Sequence, residues 1–141
     1  VPLFFVLLLT ANLWLFLLGC VVVTLASVYL CGRAEKTLGE TDPPSVVLDE
    51  IIAIPICFIG WIAISLSTGS EFPGWRDFIA GSGWLGLLGT WVAFRFFDIL
   101  KPWPIDQIQA APGGWGVTLD DVLSAVYVNL LALAIWSLFL R

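Results

Sequence analysis

The sequence has 141 residues, of which 60% are hydrophobic and only 12% are charged. Soluble domains carry about a quarter charged residues, so this composition excludes an ordinary soluble protein and predicts one membrane-embedded domain over residues 1–141. The net charge of −5 and the six scattered basic residues argue against a nucleic-acid partner, because phosphate backbones need a basic surface.

Apolar segments predict an all-α bundle of four membrane-spanning helices, because a span needs about 20 mostly apolar residues. The first 30 residues carry no charge, and Thr10, Ala11 and Asn12 interrupt them weakly. We therefore prefer a short N-terminal hydrophobic segment followed by a span over residues 13–31; a single long span is the alternative. The polar stretch 32–45 is predicted to be a loop, with one extra helical turn before it as an alternative.

Three further spans follow in the sequence. The predicted order is a span over 46–66, a connection over 67–77, a span over 78–100, a loop over 105–118 and a span over 120–140. Pro55 predicts a kink within the second span, and Pro102 and Pro104 predict the end of the third. No repeat or low-complexity segment divides the chain, which agrees with one domain.

The order of the spans places the intramembrane charges at one face of the bilayer. Each short connection reverses the direction of the chain, so the loops over 32–45 and 105–118 share one side. The charges at the ends of the spans on that side are Asp49, Glu50, Arg95, Asp98, Lys101, Asp120 and Asp121. Four basic residues lie on this side and two on the other, and the positive-inside rule predicts that it is cytoplasmic.

The acidic residues among these charges predict a metal site. A carboxylate at the centre of a span costs roughly 2.5–3.5 kcal/mol on insertion scales, and Asp49, Glu50, Asp98, Asp120 and Asp121 would also repel one another. Oxygen ligands without nearby histidine favour Mg²⁺ or Mn²⁺, so these five residues are the predicted ligands. The alternative is that acidic residues in a first helical turn only interact favourably with the helix dipole.

Basic residues and glycines near this cluster predict phosphate binding. Arg95, Asp98 and Lys101 follow one another at three-residue spacing and would share one stripe of the helix end. The two cations could hold phosphate oxygens, or they could only form an ion pair with Asp98. Gly113 and Gly114 precede the last span, where backbone N–H groups could receive an anion; an ordinary glycine-rich turn is the alternative.

The remaining residue types exclude several phosphatase mechanisms. The chain has no histidine, which excludes histidine nucleophiles and Ser-His-Asp hydrolysis. It also lacks the cysteine–arginine loop, the Asp-x-Asp pair and the P-loop of other phosphoryl-transfer enzymes. Cys20, Cys31 and Cys57 are predicted to be buried free thiols. What remains is metal-assisted attack by water with a carboxylate as the base.

Three segments of the sequence resemble the signature blocks of a known enzyme family. They are VLDEII at 47–52, FRFFDILKPWPI at 94–105 and GGWGVTLDDV at 113–122. In order and spacing they are similar to those of the phosphatidylglycerophosphatase A family, and the resemblance extends from about residue 30 to the C-terminus. The middle block is the most specific of the three.

The resemblance implies a magnesium-dependent enzyme of the bacterial inner membrane with its active site facing the cytoplasm. It would remove the terminal phosphate of phosphatidylglycerophosphate, a phospholipid of the bilayer, to give phosphatidylglycerol. By position, the five carboxylates match the family's acidic residues, and Arg95 and Lys101 match its basic ones. Ala53 departs from the family, which usually has glycine there, and we expect the family's Gly/Ser/Thr-rich N-terminal segment to be missing.

We therefore expect a lipid phosphatase that binds one or two magnesium ions. Asp121, Asp98 and Glu50 are the candidate catalytic carboxylates, with Asp121 preferred as the group that orients the attacking water. The main alternative is a divalent-cation channel or transporter with an acidic selectivity site, and a further one is a scaffold whose charges only cap helices. A conducting pathway needs polar residues on the far side, where the spans are nearly uncharged. The sequence leaves the oligomeric state open.

Overall fold

A computed structural model describes residues 1–39 and 47–140, and within these ranges the chain is α-helical without strands. The α-helices are α1 (Pro2–Leu8), α2 (Leu13–Leu38), α3 (Leu48–Cys57), α4 (Ile59–Ser67), α5 (Trp75–Ile79), α6 (Gly83–Leu100), α7 (Ile105–Ile108) and α8 (Gly114–Ile135). A short π-helix over Trp136–Leu140 continues α8. The predicted all-α class is confirmed.

Four segments are long and apolar enough to cross a membrane, judged by length and composition. They are Leu13–Leu38, Leu48–Ser67, Gly83–Leu100 and Gly114–Phe139. The predicted number of spans is confirmed, and the separate helix α1 confirms the short N-terminal hydrophobic segment. The chain is a multi-pass membrane protein, and its many exposed apolar side chains suit a lipid environment.

Helix α2 is longer than the sequence predicts. It continues to Leu38, because the residues after Gly32 include good helix formers such as Lys36. Gly39 then ends it in a left-handed conformation with φ 72°, and its N–H donates to the carbonyl oxygen of Glu35 at 2.8 Å. The extra helical turn that the sequence allows is present and the helix continues beyond it, so the predicted loop is wrong for residues 32–38. The part of that loop over 40–45 lies outside the described residues.

Helices α6 and α8 also begin at other positions than predicted. The third span begins at Gly83 rather than at residue 78, because Gly81, with φ 55°, interrupts the chain after the short helix α5. The fourth begins at Gly114 rather than at residue 120, so Gly114 and Gly116 are helical. Residues Ile105–Ile108 form α7, and the predicted loop over 105–118 is therefore wrong at both of its ends. The end of α6 at Leu100, before Pro102, agrees with the prediction.

The second span breaks between α3 and α4, shortly after Pro55, which lacks an N–H to donate. The side chain of Asn129, from α8, enters the broken turn. Its Nδ2 donates to the carbonyl oxygen of Ile56 at 2.8 Å, and its Oδ1 accepts from the N–H of Gly60 at 2.6 Å. In an unbroken helix these two backbone groups would bond to each other. Asn129 thus satisfies both of them, and the predicted kink is present as a helix break.

Helix α8 lies at the centre of the bundle and contacts α2, α3, α4, α6 and α7. A cluster of four phenylalanine rings holds α1 against the others. Its members are Phe4, Phe16, Phe58 and Phe78, and the closest ring centroids, those of Phe4 and Phe58, are 4.2 Å apart. All three cysteines are free and buried, as predicted. The central position of α8 brings its first turns beside the ends of α3 and α6.

Candidate active site

The ends of three spanning helices bring the predicted charged residues together at one end of the bundle. Helices α3 and α8 begin there, and α6 ends there. The charged residues in or directly after these helix ends are Asp49, Glu50, Arg95, Asp98, Lys101, Asp120 and Asp121. Each of these side chains interacts with at least one side chain from another helix of the set.

The first turn of α3 holds one buried and one accessible carboxylate. Asp49 and Glu50 are consecutive, so their side chains point about 100° apart around the helix. Asp49 faces the interior and is only 6% exposed, whereas the side chain of Glu50 is 44% exposed. Glu50 therefore lies at the rim of the cluster and Asp49 inside it.

The last turns of α6 supply a guanidinium that joins two helices. Nη1 of Arg95 lies 2.8 Å from Oε1 of Glu50 and 3.0 Å from Oδ2 of Asp98. The ion pair within α6, which the sequence allowed as an alternative, is present, and the same guanidinium also reaches α3. Because the Arg95 side chain is 34% exposed, Arg95 and Glu50 together form the accessible rim.

Lys101 reaches the cluster from the residue that follows α6. Its backbone is left-handed, with φ 43°, which is uncommon for a residue other than glycine. Its N–H donates to the carbonyl oxygen of Phe97 at 2.9 Å, and its Nζ lies 2.7 Å from Oδ2 of Asp120. The predicted helical stripe does not extend to Lys101, because the helix has ended at Leu100. Lys101 joins α6 to α8 instead.

Asp120 and Asp121 lie in the second turn of α8, and both are buried. Oδ1 of Asp120 accepts a hydrogen bond from the backbone N–H of Asp121 at 2.9 Å. The Asp121 carboxyl shares a hydrogen bond with that of Asp98, and Asp49 and Asp120 are close enough to act on it electrostatically. A hydrogen bond between two carboxyl groups needs a proton on one of them, and a cation can take the place of that proton, because like charges repel. Asp121 is the centre of the cluster.

The donor chemistry of the cluster fits a hard divalent cation, since every candidate ligand is a carboxylate. Within residues 1–39 and 47–140, no group of three or more His, Cys, Asp or Glu side chains is arranged as a ready metal site. Arg95 and Lys101 instead hold carboxylates that an ion would use. Metal binding would therefore require these carboxylates to exchange a cationic side chain for the ion.

Glycines at the start of α8 let this helix approach α2 closely. A Cβ atom on Gly114 would overlap the carbonyl oxygen of Val28, and one on Gly32 would lie 2.9 Å from the backbone nitrogen of Gly114. Gly113 precedes α8 with φ 65°, a conformation that favours glycine. Helix packing thus explains Gly114, and the role of Gly113 and Gly114 in phosphate binding stays a prediction.

Polar contacts that the sequence does not predict hold the helices of the site in place. The hydroxyl of Ser27 lies 3.1 Å from that of Thr118, and this buried contact joins α2 to α8. The hydroxyl of Tyr127 donates to the carbonyl oxygen of Trp103 at 2.7 Å, which ties the segment after Lys101 to α8. Single hydroxyls within apolar runs follow no sequence pattern, so only the packing of the helices reveals them.

The sequence is similar to those of known proteins. The family model described as phosphatidylglycerophosphatase A matches residues 1–136. The phosphatidylglycerophosphatase A of Haemophilus influenzae (strain ATCC 51907 / DSM 11121 / KW20 / Rd) is 36% identical over 127 residues, which are 87% of this chain and 61% of that protein. The protein of the same name from Escherichia coli (strain K12) is 32% identical over 100 residues, 70% of this chain and 48% of that protein.

A further relative carries a different name. A protein of Bacteroides thetaiotaomicron (strain ATCC 29148 / DSM 2079 / JCM 5827 / CCUG 10774 / NCTC 10582 / VPI-5482 / E50) called putative phosphatidylinositol-3-phosphatase is 31% identical over 137 residues, 96% of this chain and 76% of that protein. No solved structure matches. The chain spans 61% of the length of the Haemophilus influenzae relative. Because the family match covers residues 1–136, the chain belongs to the phosphatidylglycerophosphatase A family.

Proposed function

We propose that the protein is a phosphatase that removes the terminal phosphomonoester of phosphatidylglycerophosphate and leaves phosphatidylglycerol in the membrane. The observation that carries this proposal is the grouping of aspartates from three helices around Asp121, with Arg95 and Lys101 beside them. Cations beside carboxylates suit the binding and hydrolysis of a phosphate. The family match supports a lipid as the carrier of that phosphate.

The residues of the cluster have separate proposed roles in the reaction. Arg95 and Lys101 would bind the non-bridging oxygens of the phosphomonoester, each exchanging a carboxylate partner for the substrate. With a cation bound, Asp98 and Asp121 would not need the proton of the hydrogen bond between them, and Asp121 would be a carboxylate that can act as a base. It would accept a proton from the attacking water as the oxygen of that water bonds to phosphorus, and the proton would pass to the glycerol oxygen of the lipid as its bond to phosphorus breaks. Phosphoryl transfer depends mostly on positioning and charge neutralisation, which these groups can supply.

We propose Mg²⁺, or Mn²⁺ in its place, as the cofactor. Asp49, Asp98, Asp120 and Asp121 are the proposed ligands, because carboxylate oxygens are the donors that these hard cations prefer. Glu50, the fifth ligand predicted from the sequence, lies at the rim beside Arg95. A bound ion would neutralise the charge that develops on the phosphate during hydrolysis.

We also propose that the site faces the cytoplasm of a bacterial inner membrane, as the positive-inside rule suggests. A cysteine placed at Thr37, exposed near the end of α2, tests this orientation, because the three native cysteines are buried. A membrane-impermeant thiol reagent should label it in inside-out vesicles and not in intact spheroplasts. A cysteine placed at Ser70, in the exposed connection before α5, should show the opposite pattern.

Phosphate release by the purified protein tests the proposed reaction. We expect release from phosphatidylglycerophosphate that requires Mg²⁺, stops on addition of EDTA and returns with excess Mg²⁺. Phosphatidylinositol 3-phosphate is the second substrate to assay, because the Bacteroides thetaiotaomicron relative with that activity in its name matches 96% of this chain. Faster release from that lipid would favour the second activity, and no release from either lipid would refute a phosphatase.

The cation channel remains the competing function, and the same protein in liposomes distinguishes it. A channel would admit Mg²⁺ to an entrapped fluorescent indicator without any phospholipid substrate. A phosphatase should give no influx above that of empty liposomes. The positions of the clustered charges favour the phosphatase, since they lie at the ends of α3, α6 and α8 rather than along a path through them.

A further inference from the structure

We infer that Glu50 determines specificity by occupying the guanidinium of Arg95 and thereby excluding the phosphodiester headgroups of ordinary phospholipids. This inference rests on the proposed lipid phosphatase function. It assigns Glu50 a role in selecting the anion that reaches the site, in place of the ligand role that the sequence predicts.

The position of Glu50 is the first reason for this role. Its Oε1 lies 2.8 Å from Nη1 of Arg95, across the gap between α3 and α6, and both side chains are partly accessible. The second cation of the site is more enclosed, since Lys101 contacts the buried carboxylate of Asp120. An anion that approaches from the headgroup region therefore meets the pair of Glu50 and Arg95 before it meets Lys101.

The charge of the competing lipids is the second reason. A guanidinium on a partly exposed side chain near the end of a spanning helix attracts anionic lipid headgroups. A phosphomonoester carries a charge of about −1.5 to −2 at pH 7, whereas a phosphodiester carries a single negative charge, as a carboxylate does. The Glu50 carboxylate is tethered beside Arg95 and acts at a high effective concentration. A phosphodiester, with the same charge as the Glu50 carboxylate, has no electrostatic advantage in binding to Arg95. A phosphomonoester carries more negative charge and does have this advantage.

The surroundings of Glu50 allow its carboxylate to move away from Arg95. Its long side chain is 44% exposed, so it can turn towards water without becoming a buried, uncompensated charge. Asp98, the other partner of Arg95, lies on the same helix and shares a hydrogen bond with Asp121. Of the two carboxylates at the guanidinium, Glu50 is therefore the one that a substrate phosphate would displace.

Inhibition by phosphatidylglycerol tests the inference. Phosphate release from phosphatidylglycerophosphate is measured in micelles of uncharged detergent with an increasing mole fraction of phosphatidylglycerol. We expect Glu50→Gln to be half-inhibited at about a fivefold lower fraction than the wild type, the factor that corresponds to the loss of a partly exposed ion pair. Asp106→Asn is the control, because it removes an exposed carboxylate from α7 outside the cluster; it should behave as the wild type.

A binding measurement keeps the test independent of catalysis. The thermal unfolding midpoint of Glu50→Gln should rise at about a fivefold lower phosphatidylglycerol fraction than that of the wild type. Equal dependence on the lipid in both proteins would overturn the inference. So would loss of stabilisation by Mg²⁺ in Glu50→Gln with an unchanged lipid dependence, since that result would make Glu50 a metal ligand. If the wild type hydrolyses neither phosphatidylglycerophosphate nor phosphatidylinositol 3-phosphate, the proposed function fails. The unfolding data still test Glu50 in that case.

Discussion

The ammonium group of Lys101 lies 2.7 Å from Oδ2 of Asp120, and this contact joins the end of α6 to the second turn of α8. Asp120 is almost fully buried, so its carboxylate depends on a nearby cation for compensation. The pair therefore positions two helices against each other and also places a positive charge beside the aspartates. We therefore expect the removal of Lys101 to affect both the packing of α6 against α8 and the charge beside the aspartates.

Replacing Lys101 by asparagine should lower kcat/KM for phosphatidylglycerophosphate by about 100-fold, the scale on which one positioned donor stabilises a transition state. Asparagine tolerates the left-handed backbone at this position, with φ 43°, better than most residues. Initial rates of phosphate release measure the effect. Lys36→Asn removes an exposed cation at the end of α2 and should change the rate less than about twofold. A similar small change in Lys101→Asn would contradict its proposed role.

Replacing Asp121 or Asp98 by asparagine should lower kcat by at least about 1,000-fold, because each change removes a charged group that acts directly in the proposed reaction. The amide has nearly the shape of the carboxyl group, so helix content by circular dichroism should be retained. Asp77→Asn, on the connecting helix α5, serves as the control and should stay active. Full activity in both Asp121→Asn and Asp98→Asn would remove the proposed site.

Asp121→Asn should lower activity but raise the thermal stability of the metal-free protein. Asp121 lies among three other aspartates, so without a metal ion the folded wild type must either take up a proton or bear the repulsion between carboxylates, and an amide at this position requires neither. In EDTA the variant should unfold at a higher temperature than the wild type, and added Mg²⁺ should raise its unfolding temperature less. An unfolding temperature in EDTA below that of the wild type would show that these carboxylates do not repel one another in the folded protein.

The number of spans could be predicted because long apolar runs give a strong signal, whereas the ends of the helices could not. Helix α8 begins at Gly114, although glycine usually favours a turn. Close packing of α8 against α2 accepts no larger residue at this position. Helix α2 continues through charged residues as far as Leu38, since these residues are themselves good helix formers. A tertiary contact thus explains the start of α8, and local helix propensity explains the end of α2. The pattern of polar residues alone predicts loops in both places.

For the site too, the sequence predicts the general arrangement but not the individual contacts. The order of the spans predicts that the charged residues lie at one face, because alternating direction fixes which helix ends meet. It does not predict that Arg95 reaches Glu50 or that Lys101 reaches Asp120, since these pairs depend on how α6 packs and on the left-handed residue after it. Asn129 was missed for a related reason: a single amide within an apolar helix gives no sign of the broken turn that it completes.

Replacing Asn129 by leucine should lower the free energy of unfolding by about 2–4 kcal/mol. The change leaves the N–H of Gly60 and the carbonyl of Ile56 without their partner within an apolar bundle, and each unsatisfied group costs about 1–3 kcal/mol. Unfolding in a mild detergent, followed by circular dichroism, measures the loss. Ser137→Ala is the control, because this exposed hydroxyl bonds only within its own turn. An unfolding free energy equal to that of the wild type would mean that Asn129 does not stabilise the break.

Replacing Gly114 by alanine should destabilise the protein by about 1–3 kcal/mol, the usual scale of overpacking. The new methyl group would overlap the carbonyl oxygen of Val28, which is backbone and cannot turn aside. Because α8 must then move away from α2, the carboxylates of its second turn should shift and phosphate release should fall as well. Gly89→Ala is the matched control, since nothing lies within 4 Å of the position that its Cβ would take. Alanine there should be neutral or stabilising by up to about 1 kcal/mol, and equal losses in the two variants would contradict the packing role of Gly114.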